Sequence, residues 1–380
     1  MKRNLPCPID TVALRSLLLD VPEAVFPASF DQACQDLDHY VGALAAETAN
    51  ALALRGAVPP IPDLLAARGW SPRGAAALHW LLDTLELYRM ARRGRDGWRV
   101  EASVPPQLSA ELAAAAPPES APAYRILELA AQALPGVLAG DTRGEDALFG
   151  PTTMGLWFDY FSNHNPHYAP NNALTAAVVA DVLPAGATIL ELGGGAGSAA
   201  VACLAALQQA DRTPDHYVFT ELQPAFLRRG VRTVTAALPP GCRLTSDRVD
   251  INELLDRPLV EGGFHGIVAV NTLHLARDLT LCLSRLRQYL TPGGALVLGE
   301  LIRPPDGAVH LELPFTLLAD YYTLPLDPDL RPRPGFLTDS QWLAALAEAG
   351  FSRTRIVPAR LAACVEQYPG FYSGVVVGWR

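Results

Sequence analysis

The sequence predicts an α/β protein, a doubly wound and mainly parallel sheet preceded by a smaller, mainly helical unit. Three observations carry this. Residues 189–197 read Ile-Leu-Glu-Leu-Gly-Gly-Gly-Ala-Gly, an apolar strand running into a turn stripped of side chains, with the Ala- and Leu-rich helical stretch Ser198–Gln209 behind it. Further strand-like apolar runs then alternate with helical stretches, the signature of parallel strands joined by crossover helices. The first 103 residues lack that alternation and carry helical periodicity and a hairpin instead.

Taken in order, Asp31–Leu54 reads as a long amphipathic helix, and Ile61–Val100 as short helices followed by Tyr88-Arg-Met, a turn at Arg92–Gly97 and Trp98-Arg-Val100. Helix, helix, hairpin is a winged-helix pattern. Arg89, Arg92, Arg93, Arg95 and Arg99 invite a DNA-binding reading, but Ile61–Glu101 holds seven arginines against five acids, the balance of a solvated hairpin. Pro105-Pro106 and Pro117-Pro118 bracket an Ala-rich linker, and Tyr124–Ala133 is expected to be a bridging helix. The expected organisation is a helical, winged-helix-like domain at 1–103, a linker and bridging helix at 104–147, and the sheet domain at 148–380.

In the last of these, strands are expected at Ala187–Leu192, Tyr217–Glu221, Arg243–Val249, Gly266–Val270 and Ala295–Leu298, the last after the turn Thr291-Pro-Gly-Gly294. A helix at Ser340–Ala349 and two closing strands, Arg355–Val357 and Gly374–Gly378, complete the set. Ligands on such sheets bind at the carboxyl ends of the strands. Gly193, Glu221, Asp250, Asn271 and Glu300 all fall there, in chain order.

Composition agrees with an enzyme of the cytoplasm. At 380 residues the chain accommodates two domains, no window holds the roughly 20 apolar residues of a membrane span, and the start Met-Lys-Arg-Asn-Leu-Pro lacks a secretory apolar stretch. Six scattered cysteines without a C-x-x-C pair suggest neither disulfide framework nor zinc site. A formal charge of −9 argues against a nucleic-acid partner.

The glycine turn separates two cofactor classes. A dinucleotide site wants G-x-G-x-x-G, whose third glycine would fall on Ser198. The observed Glu191-x-Gly193-x-Gly195-x-Gly197 instead resembles the first motif of class I S-adenosylmethionine (SAM) methyltransferases. Leu148-Phe-Gly-Pro, Phe219-Thr-Glu-Leu-Gln-Pro-Ala-Phe226, Asn271-Thr-Leu-His-Leu-Ala-Arg-Asp-Leu279, Leu290-Thr-Pro-Gly-Gly294 and Ser340-Gln-Trp342 through Ala349-Gly-Phe351 extend the likeness. From about Leu148 onward the chain resembles polyketide synthase carbon-methyltransferase domains and the stand-alone small-molecule methyltransferases similar to them. The resemblance implies a Rossmann-like seven-stranded sheet of order 3-2-1-4-5-7-6 with strand 7 antiparallel. It implies a SAM site at Glu191, Gly193, Gly195 and Gly197, with Glu221 on the ribose, Asp250 and Ile251 at the adenine, and Asn271 at the fourth strand end. A homodimer formed through the N-terminal unit is the corresponding expectation for assembly.

Two segments are expected to wall the acceptor. Trp157-Phe-Asp-Tyr-Phe-Ser-Asn-His-Asn-Pro-His-Tyr168 mixes Trp157, Tyr160, Phe161 and Tyr168 with polar Asn163, His164, Asn165 and His167, more than core packing requires, and is read as a lid. His164 and His167 have no evident acidic third ligand, so no metal is expected. The stretch Leu301–Thr338 is too long for an ordinary connection and offers His310, Phe315, Asp320, Tyr321 and Tyr322.

Methyl transfer to a weak acid needs alignment and a base. His274 follows the fourth strand and Glu300 ends the neighbouring fifth, 26 residues on, a separation one crossover allows. A carboxylate on one imidazole nitrogen fixes the tautomer and supports the cation formed at the other. The pair matches the histidine–glutamate dyad of the polyketide carbon methyltransferases. The reading is a metal-independent SAM methyltransferase of specialised metabolism, such as antibiotic biosynthesis, acting on an acidic carbon or a hydroxyl of a small acyl or aromatic intermediate. Alternatives are an oxygen methyltransferase, a SAM-sensing winged-helix regulator and a SAM-dependent cyclase.

Overall fold

The computed structural model describes residues 11–255, 259–304, 309–368 and 371–380; the Met1–Pro6 start and Cys7 lie outside them. After a short helix at Thr11–Leu17, a long helix runs from Ala28 to Ala51. A small antiparallel sheet follows, in which β1 (Gly56–Val58), β2 (Ala91–Gly94) and β3 (Gly97–Val100) take the order β1-β3-β2. Helices Ile61–Arg68 and Ala75–Leu87 lie between β1 and β2. The expected helices and hairpin are present. Strand β1 was not legible, because three residues carry no periodicity. In the arginine cluster, Arg93 pairs with Asp83 at 2.6 Å and lies over Trp98, and Arg99 pairs with Glu101 at 3.0 Å.

The bridging helix spans Ala121–Ala139, and the second sheet then assembles from seven strands. They are β4 (Thr188–Leu192), β5 (His216–Thr220), β6 (Arg243–Asp247), β7 (Phe264–Val270), β8 (Leu290–Leu301), β9 (Arg353–Val357) and β10 (Ser373–Trp379). Their order is β6-β5-β4-β7-β8-β10-β9, with β10 antiparallel to both neighbours. Counted from β4, this is the expected 3-2-1-4-5-7-6. The apolar runs at 189–192 and 267–270 lie in the sheet centre and are buried on both faces, which is why they read as continuous hydrophobic strands. One boundary differs. The Thr291–Gly294 turn is absorbed into β8, whose pairing with β7 shifts register between Phe264 and Gly266. Among the described residues no helix is long and apolar enough to cross a membrane.

Packing does not break at residue 103. Leu14, Leu18, Val25, Phe26 and Phe30 join the core of the large sheet. Conversely, Trp157 and Tyr160, with Leu311, Leu313 and Leu317, join the helical core built on Leu37–Leu138. Both expected acceptor walls therefore rest on the N-terminal unit.

Candidate active site

The carboxyl ends of β4 to β8 converge on a cleft of about 730 Å³, a volume suited to a small-molecule site. Gly193, Gly195, Glu221, Asp250, Ile251, Asn271 and His274 all line it. The glycines of the loop are not equivalent. Gly193, Gly195 and Gly197 have positive φ values of 63°, 55° and 89°, where a side chain is strained. A Cβ on Gly193 would stand 2.4 Å from Thr272 Oγ1, and one on Gly194 2.2 Å from the Phe219 ring. Those two glycines let the loop pack against its neighbours. A Cβ on Gly195 would meet nothing within 4 Å, so this is the glycine whose bare backbone faces the cleft. Gly197 lies away from the cleft, turning the loop into helix Ser198–Gln209, which corrects its expected place in the ligand wall.

The Glu221 carboxylate accepts from Gly195 N at 3.0 Å and from Gln223 N at 2.7 Å, which ties the second strand end to the glycine loop. Each oxygen retains a second lone pair for a hydroxyl. Asp250 caps its own turn by accepting from Asn252 N at 2.8 Å. Glu191 is 1% exposed; its Oε2 accepts from Tyr217 OH at 3.1 Å, while Oε1 completes no hydrogen bond, although the Ala200 N–H approaches the carboxylate. Burial pushes this carboxyl up to about 8. Asn271 holds a positive φ of 48° and is pinned at both ends, its N–H on Gly299 O and its Oδ1 on Leu301 N, each at 2.8 Å. Its Nδ2 approaches the Tyr168 hydroxyl without completing a bond.

At the other end, His274 sits in a short 3₁₀ turn, Leu273–Leu275, just past β7. Its Nδ1 lies 2.9 Å from Glu300 Oε2. Glu300 is fully buried, and its Oε1 accepts the backbone N–H groups of Thr272 at 3.3 Å and Leu273 at 3.2 Å. The carboxylate thus holds both the ring and the turn that carries it. With Nδ1–H donating to Glu300, the Nε2 lone pair is left for the cleft, and among the described residues no protein group takes it. The Phe336 ring packs on the imidazole, centroids 4.4 Å apart.

Of the expected acceptor residues, Tyr160, Phe161, Tyr168, Phe315 and Tyr321 line the cleft. Five do not. Trp157 is fully buried, donates to Leu148 O at 2.6 Å and stacks on Phe149, so it props the lid from behind. His164 is exposed to solvent. His167 is buried in a separate cavity with Asp38 and His310, its pKa lowered by burial to about 4; the two lid histidines therefore share no site. His310 points into that cavity, on Asp38 at 2.7 Å. Tyr322 follows Tyr321 on a single helical turn and faces about 100° away from it. Asn163 fastens the lid by donating to Ser198 O and accepting from Asn172, each at 2.8 Å. The sequence did not announce Phe149, Met154, Leu301 and Phe336 as lining residues, because apolar side chains in such segments look like ordinary core.

The sheet order and the ligand cleft at its strand ends define the class I SAM-dependent methyltransferase fold. Residues 190–296 match the family model described as "Methyltransferase domain". It is 28% identical over 236 residues to polyketide synthase PksR of Bacillus subtilis, a match covering 60% of this chain and 9% of the synthase. The chain spans between 5% and 14% of the length of three of the polyketide synthases it matches. Among solved structures, the CurJ carbon methyltransferase superposes with a TM-score of 0.73 at 22% identity, covering 97% of this chain and 96% of that one. The trans-methyltransferase CalH, solved with SAH, gives 0.64 at 16% identity, covering 93% and 92%.

The cleft fits SAM. The unpartnered Glu191 Oε1 suits the cationic amino-acid end, the bare face of Gly195 leaves space for it, and Glu221 retains lone pairs for the ribose. Gly195→Val should fill that space and Glu221→Ala should remove two charge-assisted bonds. Each should weaken SAM binding at least tenfold in calorimetric titration of a folded protein; unchanged affinity in both would refute the assignment. Gly193→Val should in addition lower the melting temperature, since its methyls meet Thr272.

Glu191 gives the site a pH dependence. Below about 8 the free protein holds this carboxyl protonated, and a bound ammonium favours its ionised form. SAM affinity should therefore rise as pH approaches 8 and fall again as the ligand's own α-ammonium deprotonates, with a proton released from the carboxyl on binding below 8. Stability of the free protein runs the other way. The raised pKa means the folded state keeps a proton that the unfolded chain has lost, so Glu191's contribution falls as pH rises from the ordinary carboxylate value of 4.5 to about 8. Calorimetry in buffers of different ionisation enthalpy reads the proton count, and Glu191→Gln should flatten the profile.

Proposed function

We propose that this chain methylates an acidic carbon of a small acyl or related biosynthetic intermediate, with His274 as general base and Glu300 as the carboxylate that orients it. The observation that carries this reading is the 2.9 Å contact between His274 Nδ1 and a fully buried Glu300, with Nε2 left free at the cleft. When bound, SAM supplies an electrophilic methyl group on a sulfonium. Gly195, Glu221 and Glu191 would hold it, and the aromatic half of the cleft (Tyr160, Phe161, Tyr168, Phe315 and Phe336) would align the acceptor and exclude water. His274 Nε2 would take the proton from the acceptor carbon, leaving the C–H electron pair to bond the methyl group while the electron pair of the broken S–CH₃ bond stays on sulfur. Glu300 stabilises the imidazolium until its proton passes to solvent. A structural base serves no sensor, which favours an enzyme over a regulator.

Carbon is preferred to oxygen because, at similar coverage, the likeness to a protein described as a carbon methyltransferase, TM-score 0.73, exceeds that to an O-methyltransferase family 2 protein, 0.51. We read β1–β3 and the helices between them as a winged-helix-like unit, and expect a homodimer. Sedimentation as a monomer at micromolar concentration would count against that assembly. The reaction itself is tested by mass spectrometry with isotopically labelled SAM and candidate 3-oxoacyl thioesters. A labelled product is expected; none with any carbonyl acceptor would remove the reading.

A further inference from the structure

Behind the dyad lies a second buried polar cluster that the chemistry above does not use. Asp38, on the long N-terminal helix, is 5% exposed and holds His310 Nδ1 at 2.7 Å through one oxygen. Through the other it accepts from Tyr368 OH at 2.6 Å. His310 Nε2 meets Tyr88 OH at 3.2 Å, and its backbone N–H donates to Tyr372 OH at 3.3 Å. Four separate stretches of chain are joined here: the first long helix, the end of helix Ala75–Leu87, the insertion and the segment before β10. The adjacent Val309 carbonyl accepts from Trp80 Nε1 at 2.9 Å, a further tie between insertion and N-terminal unit.

A buried polar pair costs desolvation and is weak ground for stability alone. Its position is informative. Tyr372 packs in one small core with Leu301, Val309 and Phe336. Phe336 in turn lies on the His274 ring and edge-on to Phe315 of the acceptor wall. Asp38 thus stands at the end of a path, through His310 and the small core of Tyr372, Leu301, Val309 and Phe336, that terminates on the imidazole. Leu301 lines both the small cavity around Asp38 and the main cleft, so a single side-chain layer separates them.

We propose that the His310–Asp38 pair is a positioning element for methyl transfer. It fixes the Tyr372–Phe336 layer against His274, and through it the N-terminal helix sets the alignment of base and acceptor. The proposal rests on the reading of His274 as the base, and its test separates the two. Displacements of 1 Å remote from the chemistry can cost on the order of 10² in rate, so a partial loss is expected here.

The experiment uses the full chain, with the acetoacetyl thioester of N-acetylcysteamine as acceptor probe. It compares His310→Gln and Tyr372→Phe with the unaltered protein by kcat, acceptor KM, calorimetric SAM affinity and the imidazole ¹⁵N NMR signals of His274. His310→Gln should lower kcat about tenfold, and Tyr372→Phe, which removes one hydroxyl, about threefold. SAM affinity should stay within about twofold, and the His274 signals should shift in both. Folded variants with unchanged His274 signals and unchanged kcat would overturn the proposal, as would a parallel loss of SAM affinity, the mark of general loosening. Should His310→Gln fail to fold, Tyr372→Phe decides. The NMR signals report positioning even if His274→Ala proves fully active, an outcome that would remove the base and leave the packing relation standing or fallen by its own measurement.

Discussion

His274→Ala should lower turnover by about 10²-fold or more, the usual scale of general base catalysis, while SAM binding survives. The structure sharpens the reason. Glu300 uses one oxygen on the imidazole and the other on the backbone of the turn that carries it, so ring and turn are oriented as one unit. Glu300→Gln keeps the shape but loses the charge that supports an imidazolium, and offers an amide where two N–H groups and a ring N–H all need acceptors. Its turnover should fall as well. The double variant should be little worse than His274→Ala, because residues acting as a unit give strongly non-additive losses. Steady-state kinetics of the four proteins decides this. Independent, multiplying losses would contradict the dyad, and full activity of His274→Ala would mean alignment alone suffices.

Deleting residues 1–103 should abolish folding of the remainder. On sequence grounds this deletion is expected to expose a dimer surface and yield monomer or aggregate. The packing goes further. Leu14, Leu18, Val25, Phe26 and Phe30 belong to the core of the large sheet, and Leu311, Leu313 and Leu317 of the insertion are buried against the helical unit. Each large apolar side chain stripped of cover costs about 1.5–3 kcal/mol, against a total stability of about 5–15 kcal/mol for a folded protein. The truncated chain should show no cooperative thermal transition and no SAM binding. A cooperative melt with retained SAM affinity would show instead that the methyltransferase sheet is autonomous.

The large sheet was legible because its central strands are buried on both faces and its strand-end residues occur in topological order. Glu191, Gly195, Glu221, Asn271 and the His274–Glu300 pair were legible for the same reason: in a doubly wound sheet, chain position after a strand is also spatial position. The acceptor wall was not. Trp157, His167, His310 and Tyr322 share their segments and composition with residues that do line the cleft. Which ring faces inward depends on helical phase and on partners distant in sequence, such as Asp38 for His310 and Leu148 O for Trp157. Among the glycines the motif made Gly193 and Gly195 look alike, and only the neighbouring Thr272 separates them. The change in periodicity near residue 103 marks a change of architecture, and the cores cross it because apolar faces are shared wherever they meet.

The central claim is that this cleft places a SAM methyl group on carbon. The most direct measurement is the ¹³C NMR spectrum of the product formed from methyl-¹³C SAM and a 3-oxoacyl thioester. One enriched signal is expected in the range of a methyl on saturated carbon, coupled to the neighbouring α-carbon when that position is also labelled, and lost in His274→Ala. An enriched signal in the methoxy range, or a full carbon-methyl signal from His274→Ala, would contradict it.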